Sequence, residues 1–354
     1  MKIVNLSKED EKQNLVNTLS KAMQSCNLNF LLGSGASMPA INTLGDIEKQ
    51  IEDLLKNKNH KKAHKQLIEF LQQIYTNNND LLTNNSKNME ITKKNYIIFL
   101  EILNTILINR EGLEAGKKMV NIYTTNYDLL LEYACEKSGR IFHYNDGFRN
   151  KNAVFSDIEL DISEFDKTVF CTTGLYSYQE ELPKINLLKL HGSLNWRILE
   201  NSRITHINFK DFANEIATID TNIDGDNVAF LNKIGVIQPY HKKHENTVLN
   251  RTYYNLLRYF SNSLLKPNSI LCSLGFSFND EHIYDIISNS LKTNPTLCLL
   301  ICAYDEGAKN ELCNKFESYN NVIVVYDNSD KLDFSKFNIF LDSFLQELIK
   351  IVNR

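Results

Sequence analysis

Apolar residues recur along this chain in runs of strand length: Asn29–Gly33, Met119–Tyr123, Asn186–Leu190, Ile234–Ile237, Ser269–Leu274, Thr296–Ala303 and Asn321–Tyr326. Most runs are continuous instead of alternating, the pattern of strands covered by helices on both faces. Between several of them the apolar spacing changes to three and four. Tyr253, Leu256, Leu257, Phe260 and Leu264 form one stripe within Thr252–Leu265, and Asp280–Leu291 and Phe337–Val352 repeat the pattern. Alternation of strand and helix predicts an α/β fold built on a doubly wound parallel sheet.

Two stretches break this rhythm. Residues 46–116 read as helices interrupted by an asparagine-rich polar loop over Thr76–Asn88, and residues 145–183 mix Asp, Ser and Gly with short apolar runs. Read as insertions, they predict a smaller, mainly helical lobe (46–116 and 145–183) over the carboxyl edge of a Rossmann-like core (1–45, 117–144 and 184–354). Core and lobe together make a single domain, with a ligand cleft between them.

The 354 residues are 43% hydrophobic and 23% charged, ordinary values for a folded chain. A net charge of −4 supplies no field for a phosphate backbone, so direct nucleic-acid binding is not expected. No run reaches the roughly 18 apolar residues of a membrane span. The amino terminus, MKIVNLSKEDEKQN, has no apolar signal core, so a cytoplasmic location is expected. Seven scattered cysteines read as reduced thiols. None forms a CxxC pair, and no zinc or other metal site is expected.

The candidate chemistry lies where strands end. After Asn29–Leu32 comes GSGAS, Gly33–Ser37, whose glycines permit a tight turn with peptide N–H groups against an anion and a helix starting near Ala36. A strand–helix turn that needs small residues for packing explains the same residues. TTNYD, Thr124–Asp128, follows the second strand and leads into a helix over Tyr127–Cys135. Thr125 and Asp128 have capping-box spacing, whereas Asn126 has an amide to project toward a ribose hydroxyl or a water. LHGS, Leu190–Ser193, closes a third strand, and Gly192 turns the chain beside His191 at the edge where open α/β sheets bind ligands. LGFSFND, Leu274–Asp280, offers Gly275, Phe276 and Ser277 to a ribose or phosphate, with helix capping by Ser277 and Asp280 as the alternative. Tyr304 and Asp305 end a further strand at a place suited to an adenine-side ribose.

In this order, over roughly Asn29–Tyr326, GSGAS, TTNYD, LHGSLNW and GFSFND resemble the sirtuin superfamily. TTNYDLLLEYA, KLHGSLNW and the segment Lys266–Ile283 carry a further likeness to the bacterial branch of antiphage-defence effectors encoded beside a HerA-type hexameric ATPase. The resemblance implies NAD in the cleft and cleavage of its nicotinamide–ribose bond. It implies Gly33, Ser34, Gly35, Ala36 and Ser37 as the phosphate loop, with Thr125 beside it. Asn126 and His191 match the catalytic pair, Asp128 the nicotinamide-site aspartate, and Gly275 and Ser277 the ribose-contacting turn. The chain departs from protein-deacylating sirtuins in lacking their four-cysteine zinc module, in having TTNYD for TQNID, and in having no Arg-containing phrase after the glycine loop.

These departures favour an NAD glycohydrolase over an NAD-dependent protein deacylase, and His191, a base that binding alone does not require, argues against a module that only senses NAD or ADP-ribose. Replacing Asn126 or His191 is expected to stop nicotinamide release and leave folding intact. The resemblance further implies depletion of NAD in abortive infection, and restraint through a homo-oligomer or the ATPase partner.

Overall fold

The computed structural model describes residues 1–41, 47–83, 86–110, 118–138, 142–149, 154, 157–173, 178–199, 203–208, 210–211, 214, 233–237 and 251–352. Its strands are β1 (Lys2–Asn5), β2 (Asn27–Leu32), β3 (Met119–Thr124), β4 (His143–Asn145), β5 (Phe148–Arg149), β6 (Glu159–Leu160), β7 (Phe170–Thr173) and β8 (Tyr178–Glu181). They continue with β9 (Lys184–Lys189), β10 (Gly192–Ile198), β11 (Ile204–His206), β12 (Ile234–Val236), β13 (Ser269–Leu274), β14 (Cys298–Cys302) and β15 (Val322–Tyr326). The helices are α1 (Glu9–Met23), α2 (Ile47–Lys56), α3 (His60–Thr83), α4 (Lys87–Ile108), α5 (Leu130–Lys137), α6 (Arg251–Leu265), α7 (Glu281–Thr293), α8 (Glu306–Phe316) and α9 (Phe334–Val352).

Eight strands form one sheet in the order β1-β15-β14-β13-β2-β3-β9-β4, and every pairing in it is parallel. The stretch β9-β3-β2-β13-β14-β15 has the 3-2-1-4-5-6 order of a doubly wound dinucleotide fold, extended by one strand at each edge. The chain reverses its direction of travel between β2 and β13, which sets the switch point there. Pleating sends alternate residues to opposite faces. Phe30, Leu32, Val120, Ile122, Ile185 and Leu187 pack under α1, α4 and α9. Leu31, Tyr123, Leu188, Leu271, Ile301 and Val324 pack under α6, α7 and α8.

The expected α/β fold with a parallel, doubly wound sheet is what forms, with four local corrections. The run Ile234–Ile237 supplies β12 of a separate antiparallel sheet, β11-β10-β12, and not a strand of the parallel one. Asparagine lowers helix propensity by only a fraction of a kcal/mol, and α3 continues through the first part of the expected Thr76–Asn88 loop to Thr83. Helix α4, assigned to the small lobe, lies in the layer on the sheet, its Phe99 ring 5.2 Å from that of Phe30. GSGAS opens a single 3-10 turn, Ser34–Ser37, and not an α-helix at Ala36.

Helices α2 and α3 do make a small cluster above the carboxyl edge. Ile51, Leu67, Ile68 and Phe70 pack on Tyr127, Leu194, Ile234 and Val236, so the described lobe joins helices to β10 and β12. The described residues of segment 145–183 form β-strands and one 3-10 helix, and its Phe148 and Phe165 enter the core on the sheet's other face. The lobe boundaries at 46 and 116 fall outside the described residues.

A row of asparagines crosses four strands of the sheet. Asn29, Asn121, Asn186 and Asn145 are paired in register. Asn121 donates to Asn29 at 3.0 Å, Asn186 to Asn121 at 2.9 Å, and Asn145 to Asn186 at 2.8 Å. Side-chain amides each carry a donor and an acceptor, so the row satisfies itself within an apolar core.

Candidate active site

Leu274, Leu32, Thr124 and Lys189 are aligned across β13, β2, β3 and β9, so the segments after them leave the sheet at one level. Asn126 and His191 each stand two residues past the Thr124–Lys189 pair, on neighbouring strands. The sheet therefore delivers both expected catalytic residues to its carboxyl edge, next to the switch point.

GSGAS and Gly275 meet at that switch point. Gly33 N–H donates to Leu274 O, and Gly35 N–H to Gly275 O, both at 3.0 Å. Gly275 has φ +65°, and a methyl there would sit 2.5 Å from the Ala36 nitrogen. The glycines thus allow two backbones to touch. The expected amide cradle for an anion changes accordingly. The N–H groups of Gly33, Gly35 and Ala36 already donate to carbonyls, Ala36 to that of Gly33 at 3.0 Å. Gly33, Ala36 and Ser37 are buried, whereas Ser34 and Gly35 are half-buried.

Ser37 is a hub inside the site. Its hydroxyl donates to Asp128 Oδ2 at 2.7 Å, accepts from Asn126 Nδ2 at 3.0 Å and lies 3.0 Å from the Tyr96 hydroxyl. A serine hydroxyl has one proton and two lone pairs, so Tyr96 must be the donor and Ser37 is saturated. Ser37, expected in the phosphate loop, here joins α4, the Asn126 turn and Asp128 in one hydrogen-bonded cluster. Tyr96, on α4, is fully buried; burial, and then the Asp128 charge, hold its pKa well above the ordinary range and keep its proton in place.

Asn126 also donates from Nδ2 to Gly33 O at 3.0 Å, and its backbone N–H donates to Thr124 Oγ1 at 3.0 Å. Its amide therefore ties the β3 tip to the glycine loop, the residue being 9% exposed. The capping box expected from Thr125 and Asp128 does not form. Thr124 makes the turn, and Asp128 Oδ1 accepts from Leu130 N–H at 3.1 Å at the start of α5. Thr125 is half-buried beside them.

Beneath these residues lies Lys189, almost fully buried at the end of β9. It donates to Asp128 O and to Ser193 Oγ, the latter at 2.9 Å, and pairs with Glu132 at 2.8 Å. Burial pushes the Glu132 carboxyl up, and the Lys189 ammonium pulls it back.

His191 Nε2 lies 3.0 Å from Asp280 Oδ2. Gly192 follows with φ +85° and leaves no room for a side chain, the Tyr253 hydroxyl standing 2.9 Å from where its Cβ would be. Asp280 is the N-cap of α7, accepting from His282 and Ile283 N–H groups, so Ser277 is left exposed and outside the cap. Phe276 is half-buried and stacks edge-on to Phe278 with ring centres 5.0 Å apart. Asp305 caps α8 by accepting from Ala308 N–H at 2.9 Å. Tyr304 is exposed, with Lys331 Nζ 5.0 Å from its ring centre. The carboxylate expected at an adenine-side ribose is therefore engaged at a helix end. Sequence reasoning did not find Tyr96, Lys189, Glu132 or the link from His191 to Asp280.

Among the described residues, no three His, Cys, Asp or Glu side chains converge as metal ligands, and no helix is long and apolar enough to cross a membrane.

No curated protein matches this chain. Among solved structures, one described under "Structural Basis for the Mechanism and Regulation of Sir2 Enzymes" is similar at 9% identity and a TM-score of 0.42, covering 96% of this chain and 100% of that one. A family model described as "SIR2-like domain" matches residues 120–325. That match takes in β3, the Asn126 turn, His191 and the Gly275 turn, and it spans more than half of the sequence: the chain belongs to the SIR2-like domain family, whose activity is NAD-related.

Proposed function

We propose that this protein is an NAD glycohydrolase, which uses water to split NAD into nicotinamide and ADP-ribose. One observation carries the reading. Asn126 and His191 leave adjacent strand ends at one level, beside the point where the β2 and β13 turns meet. A dinucleotide lying over the switch point puts its pyrophosphate near Ser34 and Gly35 and its nicotinamide ribose toward Asn126 and His191.

The chemistry asks little of an acid. Nicotinamide departs from a cationic pyridinium and takes the bonding electron pair to its ring nitrogen. The enzyme has to hold a ribose with oxocarbenium character and place a water beside its anomeric carbon. His191 accepts the proton that this water loses, and Asn126 orients the water or a ribose hydroxyl. Ser37 and Asp128 hold the Asn126 turn in place.

The reaction would deplete cellular NAD as an effector of antiphage defence in the cytoplasm. Such an activity needs restraint, and a homo-oligomer or a HerA-type ATPase partner would supply it.

Incubating the pure protein with NAD, with and without a candidate ATPase, and separating products by chromatography tests the reading. Nicotinamide and ADP-ribose without any acceptor are expected, and none from His191→Ala. Nicotinamide release that requires an acyl-lysine peptide would show a deacylase, and cyclic ADP-ribose a cyclase.

A further inference from the structure

We propose that Asp280 is the positioning residue that orients His191 for proton transfer, and that the cap of α7 exists in part to hold this carboxylate. The proposal deepens the hydrolase reading and rests on it.

Helix capping alone does not account for Asp280. A cap uses one side-chain oxygen, and Ser, Thr or Asn would serve equally well. Here Oδ1 takes the His282 and Ile283 N–H groups at 3.2 and 3.3 Å, while Oδ2 is 3.0 Å from His191 Nε2. The side chains of His191 and Asp280 are only 8% and 10% exposed. Burial strengthens such a charge-assisted bond and makes an unpaired carboxylate costly.

The pair also crosses the site. His191 follows β9 and Asp280 follows β13, with β2 and β3 between them. Three strand spacings are about 14 Å at the level of the sheet, so the two loops must lean together over the ends of β2 and β3. Those ends carry GSGAS and Asn126.

The tautomer follows from the bond. With Nε2–H given to Asp280, the neutral imidazole keeps its lone pair on Nδ1. When Nδ1 takes the proton of the attacking water, the neighbouring carboxylate stabilises the imidazolium. The water oxygen bonds to the anomeric carbon, and the carbon–nitrogen bond breaks toward nicotinamide. Among the described residues, the titratable groups near His191 include Asp280 from α7, Tyr127 with its ring centre 6.4 Å away, and Tyr253 from α6 against Gly192. Burial raises the Tyr253 hydroxyl further above its ordinary value, so of these groups Asp280 is the one that carries charge at neutral pH.

Asp280→Asn and Asp280→Ser both retain a cap and remove the carboxylate. Two measurements on full-length protein decide the matter. In the free protein, the His191 titration is followed by nuclear magnetic resonance, with His191→Ala assigning the signal; its midpoint is expected to fall by about one pH unit or more in Asp280→Asn. With NAD, kcat is expected to fall about 100-fold with little change in KM. An unchanged midpoint, or a kcat for Asp280→Asn close to wild type, overturns the orienting role and leaves the hydrolase reading standing. Absence of nicotinamide release from the wild-type protein overturns the hydrolase reading and the catalytic part of the proposal together, and the titration then still reports whether the pair exists.

Discussion

Asn126 donates its amide to the Gly33 carbonyl and to the Ser37 hydroxyl, both at 3.0 Å. The residue expected to handle a ribose or a water thus also fastens the β3 turn to the glycine loop after β2. Site chemistry and local stability share one side chain, which alters what its replacement should do.

Asn126→Ala removes one of the two donors at the Gly33 carbonyl, which keeps the Ala36 N–H, and one of the two at the Ser37 hydroxyl, which keeps Tyr96. The loss is that of two hydrogen bonds at about 0.5–1.5 kcal/mol each. Asn126→Asp is worse, because it sets a carboxylate against a carbonyl oxygen near Asp128, which already uses the Ser37 proton. Both variants should release no nicotinamide, and urea unfolding should rank them wild type, then Ala, then Asp. An Asp variant as stable as wild type would mean that the amide does not hold the loop.

Gly275 is where backbone meets backbone. Alanine there combines φ +65° with a methyl 2.5 Å from the Ala36 nitrogen. Strain of about 1–3 kcal/mol from the backbone conformation alone is expected, and the collision adds to it. The loop pair must part to relieve it, so affinity for NAD should fall together with stability. Calorimetric NAD binding and a thermal melt on Gly275→Ala check this. A variant that keeps both would show that the two turns can separate freely.

Much of this was legible in the chain because strand ends announce themselves. Continuous apolar runs give buried parallel strands, and small or polar residues directly after Leu32, Thr124 and Leu190 fall at their carboxyl ends. The partners of these residues were not legible, because register and loop direction decide them. Nothing local shows that Asp280 reaches back to His191, or that Tyr96 on a helix placed in the wrong lobe donates to Ser37. Strands β1 and β4 are too short to stand out as runs. One signal was available and unread: NLNFLL, MVNIYT and KINLLK each carry an asparagine at a core position. A polar residue at the same level of three adjacent strands predicts a cross-strand amide row.

Acid should weaken the fold through Asp327, just past β15. Burial alone would raise this carboxyl, but hydrogen bonds from Ser329 and Ser7, with Lys336 beyond, hold it at about 2 against an ordinary 3.8. Its folded value is depressed, so its contribution is complete above pH 4 and is lost as pH falls through 2. Solvent screening trims that contribution to about 1–2 kcal/mol. Asp327→Asn should therefore be less stable than wild type at pH 6 and should converge on it near pH 2. Parallel unfolding curves across that range would exclude the hydrogen-bonded carboxylate as the cause.

The asparagine row offers a test of why a polar line runs through an apolar sheet. Asn121 is its middle member, giving a proton to Asn29 and taking one from Asn186. Asn121→Val improves strand propensity and apolar burial, yet it strands the Asn29 carbonyl oxygen inside the core. Orphaning one buried acceptor costs about 1–3 kcal/mol, so a net loss of stability is expected despite the more hydrophobic side chain. Replacing both Asn29 and Asn121 by Val removes the orphan as well as its partner, so the double variant should lose less than the sum of the two single changes. A denaturant-based double-mutant cycle reads that coupling directly. Additive losses would mean the row is held by strand pairing, with the amides contributing nothing to each other.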